Sequence, residues 1–165
     1  MELHLVADTN LFFEFKPLEQ LPWGELGGDP VVILLTKPVL DEIDRHKKGT
    51  GRTRDRALDI FNRFRTMLTS GVAEVDIQAS APRVVLRRMT NVLPDPGLKD
   101  HLDYDKADER LVGIVSTLSS QAAGSEVKLF TDDGGPAGTA AGLSNGISAS
   151  EFSLEFRDIA GEKPE

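Results

Sequence analysis

Three predominantly apolar runs, at residues 3–7, 31–35 and 127–131, constrain the fold of this chain more than any other feature of its sequence. Strands that alternate apolar and polar residues keep one face in water, whereas continuous apolar strands are typical of a sheet covered on both faces. Segments with helical periodicity separate the three runs. Strands that alternate with helices indicate an α/β fold with a central, largely parallel sheet.

The segments between these runs contain helical patterns, and the clearest is at residues 53–69, where apolar residues recur at i, i+3, i+4 and i+7. Further helices are predicted at residues 38–48, 104–121 and 136–143, and shorter strands at residues 72–77 and 147–152. Residues 82–98 contain three prolines and fit no element, so an inserted hairpin and a loop are the alternatives there.

Length and composition favour one soluble domain. The chain of 165 residues suits a single hydrophobic core, and we predict a domain over residues 1–158 followed by a polar tail over residues 159–165. The absence of cysteine excludes disulfides and thiolate metal sites within the chain. No apolar run is long enough to span a bilayer, and the start of the sequence has no signal-peptide pattern. We therefore expect a cytoplasmic protein without a membrane partner.

Charge is distributed unevenly along the chain. The net charge is −8, which by itself argues against a simple electrostatic binder of nucleic acid. Residues 44–65, however, contain eight basic and three acidic residues, a net charge of +5, which leaves −13 for the remainder. A basic segment in an acidic protein requires a local explanation.

Acidic residues follow two of the predicted strands directly. Asp8 comes after the first run, and Asp132 and Asp133 come after the run that ends near residue 131. Ligands of open parallel sheets bind at the carboxyl ends of the strands. Each of these acids also has a structural alternative: Asp8 as the N-cap of a helix beginning at Thr9, and the Asp-Asp-Gly-Gly sequence as a turn.

Two predicted helices contribute further acids that border their apolar stripes, Glu42 on the first and Asp108 on the third. Asp105 lies one turn before Asp108 and is expected to be an N-cap, because the pair imitates a capping box. Carboxylates gathered at low dielectric repel one another and must take up protons or a cation. Oxygen ligands without cysteine suit Mg²⁺ or Mn²⁺, which can activate water and neutralise charge on a phosphoryl group.

Four segments of the sequence, taken in order, resemble the motifs of PIN-domain nucleases. LVADTN resembles the opening strand that ends in a catalytic aspartate, and PVLDEIDRHKKG resembles the motif with a glutamate before a basic helix end. DKADERLVGIV resembles the aspartate that opens a long helix, and LFTDDGGPAGTAAGL resembles the strand that ends in Thr-x-Asp. Together these segments span residues 3 to about 146.

The resemblance implies a three-layer α/β/α sandwich and a Mg²⁺- or Mn²⁺-dependent endoribonuclease. By position, the catalytic and metal-binding acids would be Asp8, Glu42, Asp108 and Asp133, with Asp105 and Asp132 as additional or replacement ligands. The motifs are compatible with two kinds of PIN domain, VapC-like toxins and the domains associated with PhoH-type ATPases. The segment PVLDEIDRHK favours the second kind. RNA would be the substrate, and an antitoxin and a second copy of the chain are the partners left open.

The basic segment would then contact RNA phosphates through Arg45, Lys48, Arg52 and Arg54. For Arg63 and Arg65 a solvated helix face is the preferred interpretation. Phe12 and Phe13 could stack on bases, but core packing is the preferred prediction.

Three other functions are alternatives to a nuclease. The first is a non-catalytic PIN-fold module that binds RNA or protein. A phospho-acceptor receiver domain would need a lysine after the last core strand, and none precedes Lys163 in the tail. A haloacid dehalogenase would need a second aspartate two residues after Asp8, where the chain has Asn10.

Overall fold

The structure, a computed structural model, describes residues 2–13, 17–49, 51–121, 125–131 and 148–151. Its strands are β1 (Glu2–Ala7), β2 (Val31–Thr36), β3 (Glu74–Gln78), β4 (Val84–Met89), β5 (Ser125–Thr131) and β6 (Ser148–Glu151). Its α-helices are α1 (Asn10–Phe13), α2 (Lys37–His46), α3 (Gly51–Ser70) and α4 (Ala107–Gln121), with short 3₁₀ helices at Leu18–Gln20, Trp23–Leu26 and Pro96–Leu98. In this part of the chain, no helix has the length and apolar character needed to cross a bilayer.

The six strands form one sheet in the order β3-β4-β2-β1-β5-β6. Every neighbouring pair is parallel except β3 with β4, which confirms the predicted, largely parallel sheet. The chain moves from β1 through β2 to β4 in one direction and then returns to β5. Because parallel crossovers are right-handed, helices that connect strands in these two directions are expected on opposite faces of the sheet. All six residues of β2 are buried, as the predicted three-layer sandwich requires.

The core lies against both faces of the central strands and also includes the segment between α1 and β2. Trp23 is fully buried there, and its indole N–H donates to the carbonyl of Leu18 at 2.8 Å, which satisfies its polar atom. Phe12 and Phe13 are 2% and 5% exposed. The prediction that both phenylalanines pack in the core is therefore confirmed, and neither is exposed for base stacking.

Strand β4 is the element that sequence periodicity did not place. It lies within residues 82–98, pairs parallel with β2 and forms an antiparallel hairpin with β3, so the hairpin alternative is right for the first half of this segment. Val84, Val85 and Leu86 are buried, but Arg87 and Arg88 continue the strand. An apolar run of three residues is too short to predict a core strand, and the Arg87–Glu74 ion pair across the hairpin, 2.9 Å, cannot be seen in the sequence.

Most predicted elements occur with shifted ends. Helix α3 is longer than predicted at both ends, and α4 begins at Ala107, three residues later than predicted. Strands β3 and β6 confirm the two shorter predicted strands. The helix predicted at residues 136–143 lies outside the described residues, as does the whole predicted tail at residues 159–165.

Candidate functional site

Strands β1 and β5 lie side by side, and the chain leaves them toward opposite edges of the sheet, β1 toward β2 and β5 toward β6. Ligands of open α/β sheets bind beyond the carboxyl ends of the strands at such a reversal. Asp8 follows β1 directly and is 8% exposed. The fold therefore places the first predicted acid at the position most suited to a ligand site. Asp132 and Asp133 follow β5 and lie outside the described residues.

Among the residues that the structure describes, Asp8 is the one charged residue that is buried. A buried carboxylate loses its hydration and needs hydrogen bonds, a proton or a cation in exchange. Its backbone carbonyl accepts the N–H of Leu11 at 3.3 Å, so Asp8 stands at the start of the short helix α1. This position is consistent with both the predicted ligand role and the N-cap alternative.

Glu42 is brought toward Asp8 by helix α2, which follows β2 without a loop. The hydroxyl of Thr9 donates to Glu42 Oε1 at 3.0 Å, and Glu42 Oε2 lies 3.9 Å from His46 Nε2 one turn later. The ring of His46 meets Phe13 edge-on at 5.0 Å. One oxygen of Glu42 is thus held by the residue next to Asp8, a contact that sequence reasoning missed because Thr9 had no assigned role.

Asp108 is the second residue of α4, a helix that packs against β5 and α2. The predicted Asp105–Asp108 capping pair does not match the residues that make the turn before this helix. There the carboxylate of Asp103 accepts the N–H of Asp105 at 3.0 Å, and Glu109 accepts the N–H of Asp103 at 3.0 Å. The physical reason is that residues 103–106 form a turn before the helix begins, and Asp105 itself is exposed.

The donor chemistry of the site fits a hard divalent cation. Of the four predicted ligands, the structure describes the side chains of Asp8 and Glu42, and within the described part no three carboxylate or imidazole groups converge. Two buried side-chain polar atoms there have no hydrogen-bond partner, Thr36 Oγ1 at the end of β2 and Arg110 Nε on α4. Both belong to elements that lead into or carry the predicted acids.

The basic segment borders the same corner of the molecule. Arg45 and Lys48 are exposed at the end of α2, beyond Glu42. Arg54 is exposed in the first turn of α3, 3.7 Å from Asp55, and Arg52 lies in the same turn. Arg56 donates to the carbonyl of Phe12 at 3.4 Å, which ties this end of α3 to α1.

Two other cations of this segment have structural partners. Arg63 lies 2.8 Å from Glu19 and 3.3 Å from Asp59, so the expectation of a solvated face is wrong for Arg63. Lys47 lies 3.0 Å from Asp44 and 3.7 Å from the centre of the Phe61 ring. Hydrogen bonding to Lys47 lowers the pKa of Asp44 below its ordinary value. Arg65 is exposed, as predicted.

The profile of the PIN domain family matches residues 5–152, which are 148 of the 165 residues. The chain belongs to the PIN domain family. Members of this family are generally nucleases that act on RNA and typically use divalent metals. A search of curated proteins found no match to this sequence.

Proposed function

We propose that this protein is a Mg²⁺- or Mn²⁺-dependent endoribonuclease whose cation is held by Asp8, Glu42, Asp108 and Asp133. Asp105 and Asp132 are the neighbouring acids that could complete or replace members of this set. The observation that carries the proposal is the burial of Asp8 at the reversal point of the sheet, with Glu42 fixed to the adjacent Thr9 at 3.0 Å.

The cation would supply charge neutralisation at the phosphoryl group and a water of lowered pKa. The chain's own residues perform the other tasks. The Asp8 and Glu42 carboxylates provide the negative charge that binds the cation, and the Thr9 hydroxyl fixes the orientation of Glu42. Arg45, Lys48, Arg52 and Arg54 would hold the RNA backbone beside this site, and the acidic remainder of the surface limits binding elsewhere.

Cleavage of a mixed RNA pool in chelator, Mg²⁺ and Mn²⁺ tests this function. Cleavage should require a divalent cation, and Asp8→Asn should lower it by at least about a hundredfold, the scale of losing a major electrostatic contribution. The matched control is Asp76→Asn on the edge strand β3, an exposed acid paired with Arg83 at 3.0 Å, which should retain cleavage. Undiminished cleavage by Asp8→Asn would contradict the proposal. A wild type that binds RNA and leaves it intact would support a non-catalytic module.

Within this function, PVLDEIDRHK favours an RNA-processing enzyme of the PhoH-associated kind over a VapC-like toxin. Induced expression of the wild type in a bacterial host should therefore leave growth close to that of cells expressing Asp8→Asn. Growth arrest by the wild type alone would favour the toxin and an antitoxin partner.

A further inference from the structure

Thr36 is a fully buried threonine whose hydroxyl has no assigned use. It is the last residue of β2 and the N-cap residue of α2, with 0% exposure and extended backbone angles. An N-cap threonine normally accepts a backbone N–H from the second or third helical residue. Here the second position is Pro38, which has no N–H, and the Thr36 side chain makes no capping hydrogen bond.

The hydroxyl is also without any other hydrogen-bond partner in the part of the chain that the structure describes. A buried hydroxyl without a partner destabilises the folded protein, because its hydration is lost and not replaced. Such a group calls for an explanation, and a functional role or an absent ligand is among the usual ones. Valine would fill the same space without this cost.

The register of β1 and β2 indicates which acidic residue lies opposite Thr36. Strands β1 and β2 are parallel, and Val6 is in register with Leu34. Continuing this register by two residues brings Thr36, the last residue of β2, level with Asp8, which directly follows β1, and the two-residue period would put both side chains on the same face of the sheet. Adjacent strands lie about 4.8 Å apart, which two short side chains can bridge.

We propose that Thr36 is a positioning residue whose hydroxyl hydrogen-bonds the Asp8 carboxylate when the site holds its cation. The hydroxyl would select which carboxylate oxygen faces the cation and hold it there. This inference rests on the proposed function and adds a residue that none of the four acidic motifs contains. A purely structural threonine, in contrast, would only fill space or begin α2.

Two substitutions in the full chain separate these roles. Thr36→Val keeps the shape and removes the hydroxyl. In chelator it should melt at or above the wild-type temperature, because an unpaired polar group is lost. Its affinity for Mn²⁺ and its kcat should each fall about tenfold to a hundredfold, as for other groups that orient metal ligands, with KM for RNA unchanged. Thr36→Ser restores the hydroxyl and should keep both within about threefold of the wild type.

Ser116→Ala is the control for a buried hydroxyl that does have a partner, since Ser116 donates to Asp95 at 2.6 Å. It should lower the melting temperature equally in chelator and in Mn²⁺ and leave Mn²⁺ affinity unchanged. Thr36→Val with wild-type Mn²⁺ affinity and kcat, in a wild type that is active, overturns the role of Thr36 alone. A wild type that neither binds Mn²⁺ nor cleaves RNA overturns the proposed function and this inference together.

Discussion

The acidic residues of this chain lie in different environments, and the environment of each one separates candidate metal ligands from structural groups. Asp8 is buried at the end of a strand, whereas Asp95 lies in the segment between β4 and α4. The carboxylate of Asp95 accepts hydrogen bonds from the hydroxyl of Ser116 at 2.6 Å and from the N–H of Gly97 at 2.8 Å. These two hydrogen bonds, Ser116 first, hold the pKa of Asp95 below its ordinary value. Asp95 therefore stabilises the protein as a charged group.

The stability contributed by Asp95 should depend on pH. Because its pKa is lower in the folded protein than in the unfolded chain, the contribution is present above the unfolded pKa and is lost as pH falls through the folded pKa. Asp95→Asn should lower the melting temperature at pH 7, and its difference from the wild type should narrow below about pH 4. The difference in melting temperature between Ser116→Ala and the wild type should narrow over the same pH range, since this substitution removes the hydrogen bond from Ser116 to Asp95. If the difference in melting temperature between Asp95→Asn and the wild type stays constant from pH 7 to pH 3, the charge of Asp95 does not contribute to stability.

At the scale of elements, the segment that leads into α4 is fastened to that helix by close packing. The hydroxyl of Tyr104 donates to the carbonyl of Asp95 at 2.7 Å, and Thr117 donates to the carbonyl of Leu93 at 2.8 Å. The segment can approach α4 this closely only because position 113 is glycine. A Cβ there would lie 2.6 Å from the Tyr104 hydroxyl oxygen and 2.8 Å from the Pro94 Cβ. The start of α4, and with it Asp108, depends on this packing.

Gly113→Ala should accordingly destabilise the protein by about 1–3 kcal/mol, the cost of overpacking a well-packed site. Gly24→Ala is the matched control, because nothing lies within 4 Å of the added Cβ, and its effect should stay within about 0.5 kcal/mol. Denaturant unfolding of both variants measures the two free energies of unfolding. Equal free energies of unfolding for the two variants would show that the segment leading into α4 moves to accommodate the added methyl group.

The first turn of α3 carries Arg52 and Arg54, the two arginines proposed to contact RNA phosphates. Changing Arg52 and Arg54 together to Ala should weaken RNA binding and flatten the slope of log affinity against log salt by roughly one to two units. Arg65→Ala, on the same helix several turns away and exposed, should leave the slope near the wild-type value. Binding assays at several salt concentrations provide the measurement, with all variants made in the Asp8→Asn background, which is expected not to cleave RNA. An unchanged slope in the double variant would show that Arg52 and Arg54 are solvated and do not contact phosphates.

For the whole molecule, the architecture followed from the sequence because three predominantly apolar runs separated by segments of helical periodicity permit few arrangements. Strand β4 could not be predicted, since its burial depends on pairing with β2 and its arginines on an ion pair across the hairpin. The candidate site likewise has features that could be predicted from the sequence and features that could not. The place of Asp8 at a strand end and that of Glu42 beside an apolar stripe could be predicted, because each follows from the pattern of a single element. The Thr9–Glu42 hydrogen bond could not be predicted, because it joins two separate elements, and neither could the missing cap at Thr36, because it depends on local side-chain geometry.

The most direct test of whether the four acids form one cation site is the melting temperature of the wild type and of Asp133→Asn, each in chelator and in excess Mn²⁺. Mutual repulsion of the acids predicts that Asp133→Asn melts above the wild type in chelator, as at other sites where function costs stability. Mn²⁺ should then raise the melting temperature of the wild type by mass action, and that of the variant much less. If Asp133 instead serves a turn or a cap, its replacement lowers stability by the same amount with and without metal. That metal-independent loss would contradict the proposed cluster.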